Sequence, residues 1–141
     1  MDRVAPSLLI GTVEDATDSG ALRRYGVDAV VRVAAPPATP YPPFVRVRAT
    51  PLVDGPDNAY ADFRDAADGL RALLDEGHTT LVHCTAGRSR SAAVAAAVLA
   101  VRSDTAVQTA IDRIDATRSV DPHDALIEQA ERYVRERGRR D

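Results

Sequence analysis

Thr80-Leu81-Val82-His83-Cys84-Thr85-Ala86-Gly87-Arg88-Ser89-Arg90-Ser91 runs directly into Ala92-Ala93-Val94-Ala95-Ala96-Ala97-Val98-Leu99-Ala100-Val101-Arg102. The stretch opens on an apolar run, Thr80 to His83, short enough for a buried strand. It ends on a segment, Ser91 to Arg102, that is apolar nearly all round, the mark of a helix buried on most sides. Between them lie small and polar residues that make a tight loop. In a strand-loop-helix of this kind successive backbone N–H groups point inward and the helix N-terminus adds partial positive charge. Gly87 permits a turn that a Cβ would obstruct. The layout is an anion cradle, and phosphate is its natural guest.

Working outward, three more short apolar runs read as strands: Leu8 to Gly11, Asp28 to Ala34 and Phe44 to Ala49. Helical spacing places Phe63, Ala66, Ala67, Leu70, Leu73 and Leu74 on one face of a segment from Asp57 to Glu76, with Gly77 where a C-terminus wants it. Ser103 is a cap candidate for a helix carrying Val107, Ala110, Ile111 and Ile114. Asp121-Pro122 is the expected start of a last helix with Leu126, Ile127, Ala130, Tyr133 and Val134 inward. Ala35 to Pro43 (APPATPYPP) holds five prolines and can be neither helix nor central strand. At about 3.1 Å per residue this extended segment can carry the chain back across a sheet, so that its flanking strands run parallel. The expectation is one α/β domain over residues 1–141, with a mostly parallel central sheet of four to five strands flanked by helices.

Two residues turn a phosphate cradle into a reaction site. Cys84, at the entrance of the loop among N–H donors and near a guanidinium, is expected to have a thiol pKa below the ordinary ~8.5 and to act as a nucleophile. Arg90 returns to the same loop, where its planar fork can bind two phosphoryl oxygens, more strongly as charge spreads over them in the transition state.

Composition bounds the rest. Cys84 is the one cysteine in 141 residues, which excludes an intrachain disulfide and a zinc site built on paired cysteines. A net charge of -3 argues against general nucleic-acid binding. No apolar run approaches the roughly 20 residues of a membrane span, and the N-terminus lacks the pattern of a secretory signal. A soluble, cytoplasmic, monomeric protein without stable membrane association is expected. All 18 basic residues are Arg and Asp outnumbers Glu by 16 to 5, a bias that fits either a GC-rich genome or adaptation to salt. His78 and His123 lack partners at metal spacing and read as surface residues. The five Arg between Arg132 and Arg140 read as a solvated helix end.

His83-Cys84, five residues, then Arg90-Ser91 resembles the signature of the cysteine-based protein tyrosine phosphatase superfamily, and the form AGRSRS is similar to its dual-specificity branch. Leu9-Ile10-Gly11 with Glu14-Asp15-Ala16 looks like the family's opening strand and first helix. Tyr25-Gly26-Val27 with Val30 to Val33 looks like its second strand, although the usual Asn near the end of that strand is absent and the Pro-rich segment is unusual. The resemblance implies a phosphomonoester hydrolase acting on phosphorylated proteins through a phosphocysteine intermediate, with no metal or cofactor. It implies that Thr85, Ala86, Gly87, Arg88, Ser89 and Arg90 bind the substrate phosphate. Ser91 would hydrogen-bond the Cys84 sulfur and help it leave, and His83 would fix the cradle without acting as a base.

The same mechanism needs a general acid for the leaving oxygen. Asp54 lies 30 residues before Cys84, an interval similar to the family's, and Asp57 is the alternative. By the same resemblance, Gln129 would match a family position that orients the hydrolytic water or packs near the loop.

Other readings stand beside these. A cysteine after a strand is often a buried small hydrophobe. Asp54 before Gly55-Pro56 can be a turn or cap carboxylate. Arg88 is either a solvated charge or a hold for a second acidic group on the substrate. For the whole chain the competing functions are a lipid phosphate phosphatase, such as a phosphatidylglycerophosphate phosphatase with a similar loop that usually carries Lys in place of Thr85, and a non-catalytic phosphate-binding module.

Overall fold

The computed structural model describes residues 1–138. The alternating pattern resolves into strands β1 (Asp2–Ala5), β2 (Leu8–Gly11), β3 (Ala29–Arg32), β4 (Arg46–Ala49) and β5 (Thr80–His83). The helices are α1 (Val13–Ala16), α2 (Ser19–Arg24), α3 (Tyr60–Asp75), α4 (Arg90–Ser103), α5 (Val107–Asp115) and α6 (Asp124–Arg137). The strands form one sheet in the order β1-β2-β5-β3-β4. The last four strands of that order are mutually parallel, and β1 is antiparallel to β2.

Register sets the position of the site. Gly11 and Arg32 both pair with His83, and Arg32 pairs with Ala49, so the carboxyl ends of four strands lie in one row. In parallel sheets that edge is where ligands bind. The five-proline segment behaves as expected, returning the chain so that β3 and β4 run parallel without an intervening helix.

Alternate side chains serve the two faces of the sheet. Leu8, Ile10, Val31 and Val82 pack under α3, α4, α5 and α6, while Leu9, Val30 and Leu81 meet Ala16, Leu22 and Val27 on the other face. Helix α4 is the centre of the larger core. Ala92, Ala93, Ala95, Ala96, Ala97 and Ala100 are all buried, and their small side chains let α3, α5 and α6 approach closely. Phe63 meets Tyr133 edge to face at 6.5 Å between ring centroids, joining α3 to α6.

Several boundaries differ from the sequence reading. Strand β1 is additional: Asp2–Ala5 has no apolar alternation of its own and forms by pairing with β2. The runs Asp28 to Ala34 and Phe44 to Ala49 shorten to β3 and β4, because only the centre of the first and the last four residues of the second find ladder partners. Helix α3 begins at Tyr60, not Asp57, since Asn58 is used in the preceding turn. Ser103 does not cap α5. It ends α4, Asp104 follows in the left-handed region at φ 53°, and α5 starts after Ala106. The last helix starts at Asp124 rather than at Asp121-Pro122. Its cap is His123, whose Nδ1 accepts from the Ala125 N–H at 3.0 Å.

The two histidines read as plain surface residues also have partners. His78 lies 3.3 Å from Asp28 and 3.5 Å from Glu76, and exposed His123 is the α6 cap. In the basic tail Arg132 pairs with Glu136 and Arg137 with Asp68, while Arg139 and Arg140 lie outside the described residues.

Candidate active site

Loop 84–89 leaves β5 at the carboxyl row and enters α4. Cys84 at its start is 3% exposed. Its Sγ lies 3.2 Å from the Ser91 Oγ and accepts from the Gly87 N–H at 3.2 Å. Burial pushes the thiol pKa up, but the Ser91 hydroxyl and the N–H groups of Ser91, Gly87 and Arg88 outweigh it, and the net shift is downward. The guanidinium expected to share in this is not among the principal causes. Hydrogen bonds within the loop carry the effect.

The loop is held from outside by its carbonyls. The Thr85 oxygen accepts from the Val13 N–H at 3.3 Å and the Arg88 oxygen from the Asp121 N–H at 2.8 Å. The Ala86 and Gly87 oxygens both accept from Arg118. Gly87 has φ +67°, and a Cβ there would stand 2.6 Å from the Gly11 carbonyl oxygen. Only glycine fits that position.

His83 is fully buried, and burial lowers its pKa, so the ring is neutral. A carbonyl only accepts, so Nδ1 carries the proton and donates to the Cys84 oxygen at 3.2 Å. Nε2 then accepts from the Tyr41 hydroxyl at 2.7 Å. Tyr41 comes from the proline segment, which thereby fixes the ring as well as returning the chain.

Arg90 donates to the Thr85 Oγ1 and the Leu52 carbonyl, both at 3.3 Å, so its guanidinium bridges the nucleophile loop and the segment after β4. Asp54, exposed on that segment, accepts from the Ser89 Oγ at 2.5 Å, and the same hydroxyl accepts from the His123 N–H at 2.9 Å. Asp57 makes no such contact with the loop among the described residues. Arg88 and Thr85 are exposed and Ser89 is half-buried, which leaves the mouth of the cradle open.

Three residues at the site carry no local signal in the sequence. Asn58 is 5% exposed: its Oδ1 accepts from the Val53 N–H at 2.8 Å and its Nδ2 donates to the Gln129 Oε1 at 2.9 Å. Gln129 returns a bond from Nε2 to the Asn58 carbonyl at 2.7 Å, so it braces the Asp54 segment against α6. Tyr41 and Arg118 are the other two. Among the described residues no group of three His, Cys, Asp or Glu side chains is placed to hold a metal ion.

Such a loop can bind a tetrahedral oxyanion on inward N–H groups and Arg90, with a sulfur beneath and a carboxylate beside it. The family model described as dual specificity phosphatase, catalytic domain, matches residues 9–135. Human dual specificity phosphatase 28 is 32% identical over 133 residues, which are 93% of this chain and 76% of that protein. Mouse dual specificity protein phosphatase 13B is 31% identical, over 99% of this chain and 77% of its own length. Among solved structures, a mouse putative dual specificity phosphatase complexed with zinc tungstate aligns with a TM-score of 0.86 at 28% identity, covering 96% of this chain and 86% of that one. The structure of human DUSP28 aligns with a TM-score of 0.84, again at 28% identity, and the match covers 96% of each chain. With the nucleophile loop, the Asp54 segment and the sheet edge arranged in this way and the family model spanning nearly all of the sequence, the chain belongs to the dual specificity phosphatases.

Proposed function

We propose that the site hydrolyses phosphate monoesters on proteins through a phosphocysteine intermediate, with Cys84 as nucleophile, Arg90 as phosphoryl clamp and Asp54 as general acid and then base. The observation that carries this is the Cys84 sulfur, buried yet held by the Ser91 hydroxyl and the Gly87 N–H with its pKa lowered, in the same loop whose Ser89 holds Asp54.

In the first step the Cys84 thiolate attacks phosphorus in line with the ester oxygen. An S–P bond forms, the P–O ester bond breaks, and the leaving oxygen takes the proton of the Asp54 carboxyl. The loop N–H groups and Arg90 hold the equatorial oxygens while charge spreads over them. In the second step water attacks phosphorus and gives its proton to the Asp54 carboxylate. The S–P bond breaks, and the Ser91 hydroxyl stabilises the departing thiolate. His83, neutral and fixed at both nitrogens, shapes the loop and moves no proton in either step.

The open mouth favours both short phosphoserine or phosphothreonine and longer phosphotyrosine, as the names of the relatives suggest. The mouse relative is complexed with zinc tungstate; tungstate is a tetrahedral oxyanion like phosphate and should bind loop 84–89 here. A cytoplasmic setting suits a site that depends on a reduced thiol.

The deciding experiment measures turnover of phosphotyrosine and phosphoserine peptides beside water-soluble phosphatidylglycerophosphate. Peptide turnover abolished by Cys84→Ser and lowered about a hundredfold by Asp54→Asn is the expected result. A hundredfold preference for the lipid ester would overturn the protein-substrate reading, and undiminished rates in Cys84→Ser would overturn the chemistry.

A further inference from the structure

Arg118 lies in the connection between α5 and α6, 31 residues beyond Gly87, yet two of its N–H groups donate to the nucleophile loop. Its Nε donates to the Gly87 carbonyl at 2.9 Å and its Nη2 to the Ala86 carbonyl at 3.0 Å. Its Nη1 lies 2.8 Å from the Asp2 carboxylate on β1. The side chain is only 15% exposed, too enclosed for an ordinary surface charge.

A trans peptide is rigid and planar, with its C=O and N–H pointing opposite ways. The described backbone has no cis peptide. Holding the Ala86 oxygen outward therefore aims the Gly87 N–H inward, and holding the Gly87 oxygen outward aims the Arg88 N–H inward. The Gly87 N–H bonds the Cys84 sulfur at 3.2 Å, and the Arg88 N–H is among the groups that lower its pKa. Gly87 makes such a lock necessary. A glycine at φ +67° has no side chain to bias its two flanking peptides, and either can rotate at little steric cost. A rotated peptide would present a carbonyl, not a donor, to the sulfur and to any bound oxyanion.

We propose that Arg118 is a positioning residue that locks the two apical peptides of the loop with their N–H groups inward, and that Asp2 holds Arg118 in that pose, tying the edge strand β1 to the reaction site. The lock deepens the phosphatase reading and rests on it for its purpose. The N–H groups that stabilise the thiolate are also those that would receive phosphoryl oxygens, so one lock serves both.

The test follows the pH dependence of Cys84 alkylation by iodoacetamide, which needs no turnover, beside kcat/KM on p-nitrophenyl phosphate. Around the sulfur stand Arg88 and Ser89 in the loop, Arg90 and Ser91 on α4, neutral His83 on β5 and the Asp54 carboxylate beyond Ser89. All are unchanged in the variants. Arg118→Met should raise the alkylation midpoint by about one pH unit, the scale of a lost charge-stabilising hydrogen bond, and lower kcat/KM about tenfold or more. Asp2→Ala should shift both in the same direction by less, and it serves as the informative variant if Arg118→Met does not fold. Arg113→Met, an exposed position on α5, is the control and should move neither. Added guanidinium should partly restore Arg118→Ala. An unmoved midpoint in folded Arg118→Met, or in Asp2→Ala where Arg118→Met is unfolded, overturns the lock. An ordinary midpoint near pH ~8.5 in the parent protein would instead defeat the nucleophile assignment.

Discussion

Cys84 is pulled both ways, pushed up by burial and pulled down further by Ser91 and the loop N–H groups. The balance makes Ser91 separable from the rest. Ser91→Ala removes the hydroxyl 3.2 Å from Sγ and leaves the backbone donors, so alkylation should shift to higher pH by up to about one unit. The larger effect should fall on the second chemical step, where sulfur departs as an anion. Rapid-quench measurement should show the phosphoenzyme accumulating in Ser91→Ala, with a burst of released alcohol before slow turnover. A variant slowed equally in both steps, with no burst, would place Ser91 in the scaffold alone. The sulfur, Arg90, Ser91 and the loop were legible in the sequence because their relation is local, at fixed offsets between a strand and a helix. The sequence pointed to both the loop N–H groups and a guanidinium as causes of the lowered pKa; that the hydrogen bonds dominate was not legible, because it depends on which way each peptide plane turns.

At the scale of elements the acid segment depends on one pair of amides. Asn58 and Gln129, 71 residues apart, exchange two hydrogen bonds and fix the turn that carries Asp54 to Ser89. Asn58→Ala should loosen that turn and leave the nucleophile loop intact. Loss of a well-placed acid matters most when the leaving oxygen is a poor one. The rate on a phosphoserine peptide should thus fall about tenfold or more while p-nitrophenyl phosphate, with its good leaving group, changes little. Equal losses on the two esters would mean that Asn58 acts on the whole site.

Gly87→Ala is the complementary change in the loop. Its Cβ meets the Gly11 carbonyl oxygen at 2.6 Å and sits at positive φ, so activity should vanish even where the protein still folds.

The same contrast explains what the sequence could show of the elements. The stripes on α3, α5 and α6 follow from periodicity alone. β1, the Asn58–Gln129 brace and the Arg118–Asp2 pair exist only through partners remote in the chain, and nothing near Asp2 or Arg118 in sequence announces them.

For the whole molecule, ionisable groups that the fold perturbs set how stability follows pH. Buried His83 is held neutral, so the unfolded chain takes up a proton near pH 6.5 that the folded protein resists. Stability should therefore fall as pH drops below that value, with a limiting slope of about 1.4 kcal/mol per pH unit for one proton. Cys84 acts in the same direction at higher pH: its folded thiol ionises first, so stability climbs with pH up to the ordinary thiol value of about 8.5. Asp68, opposed by burial but held low by Arg137 and Tyr133, adds a further loss once pH passes below the carboxylate range. On the alkaline side Tyr60 and Tyr133 are raised to about 12 by burial and by the carboxylates they bond. The unfolded chain ionises both near pH ~10, so stability falls again above that value. Urea titrations from about pH 5 to 11 should trace a maximum near pH ~9, well above the pI of 5.6. In Cys84→Ser the rise towards the ordinary thiol value of about 8.5 should disappear while the decline below ~6.5 remains. If both limbs were unchanged in that variant, the thiol would titrate alike in the folded and unfolded chain, and the loop could not be holding it as the thiolate.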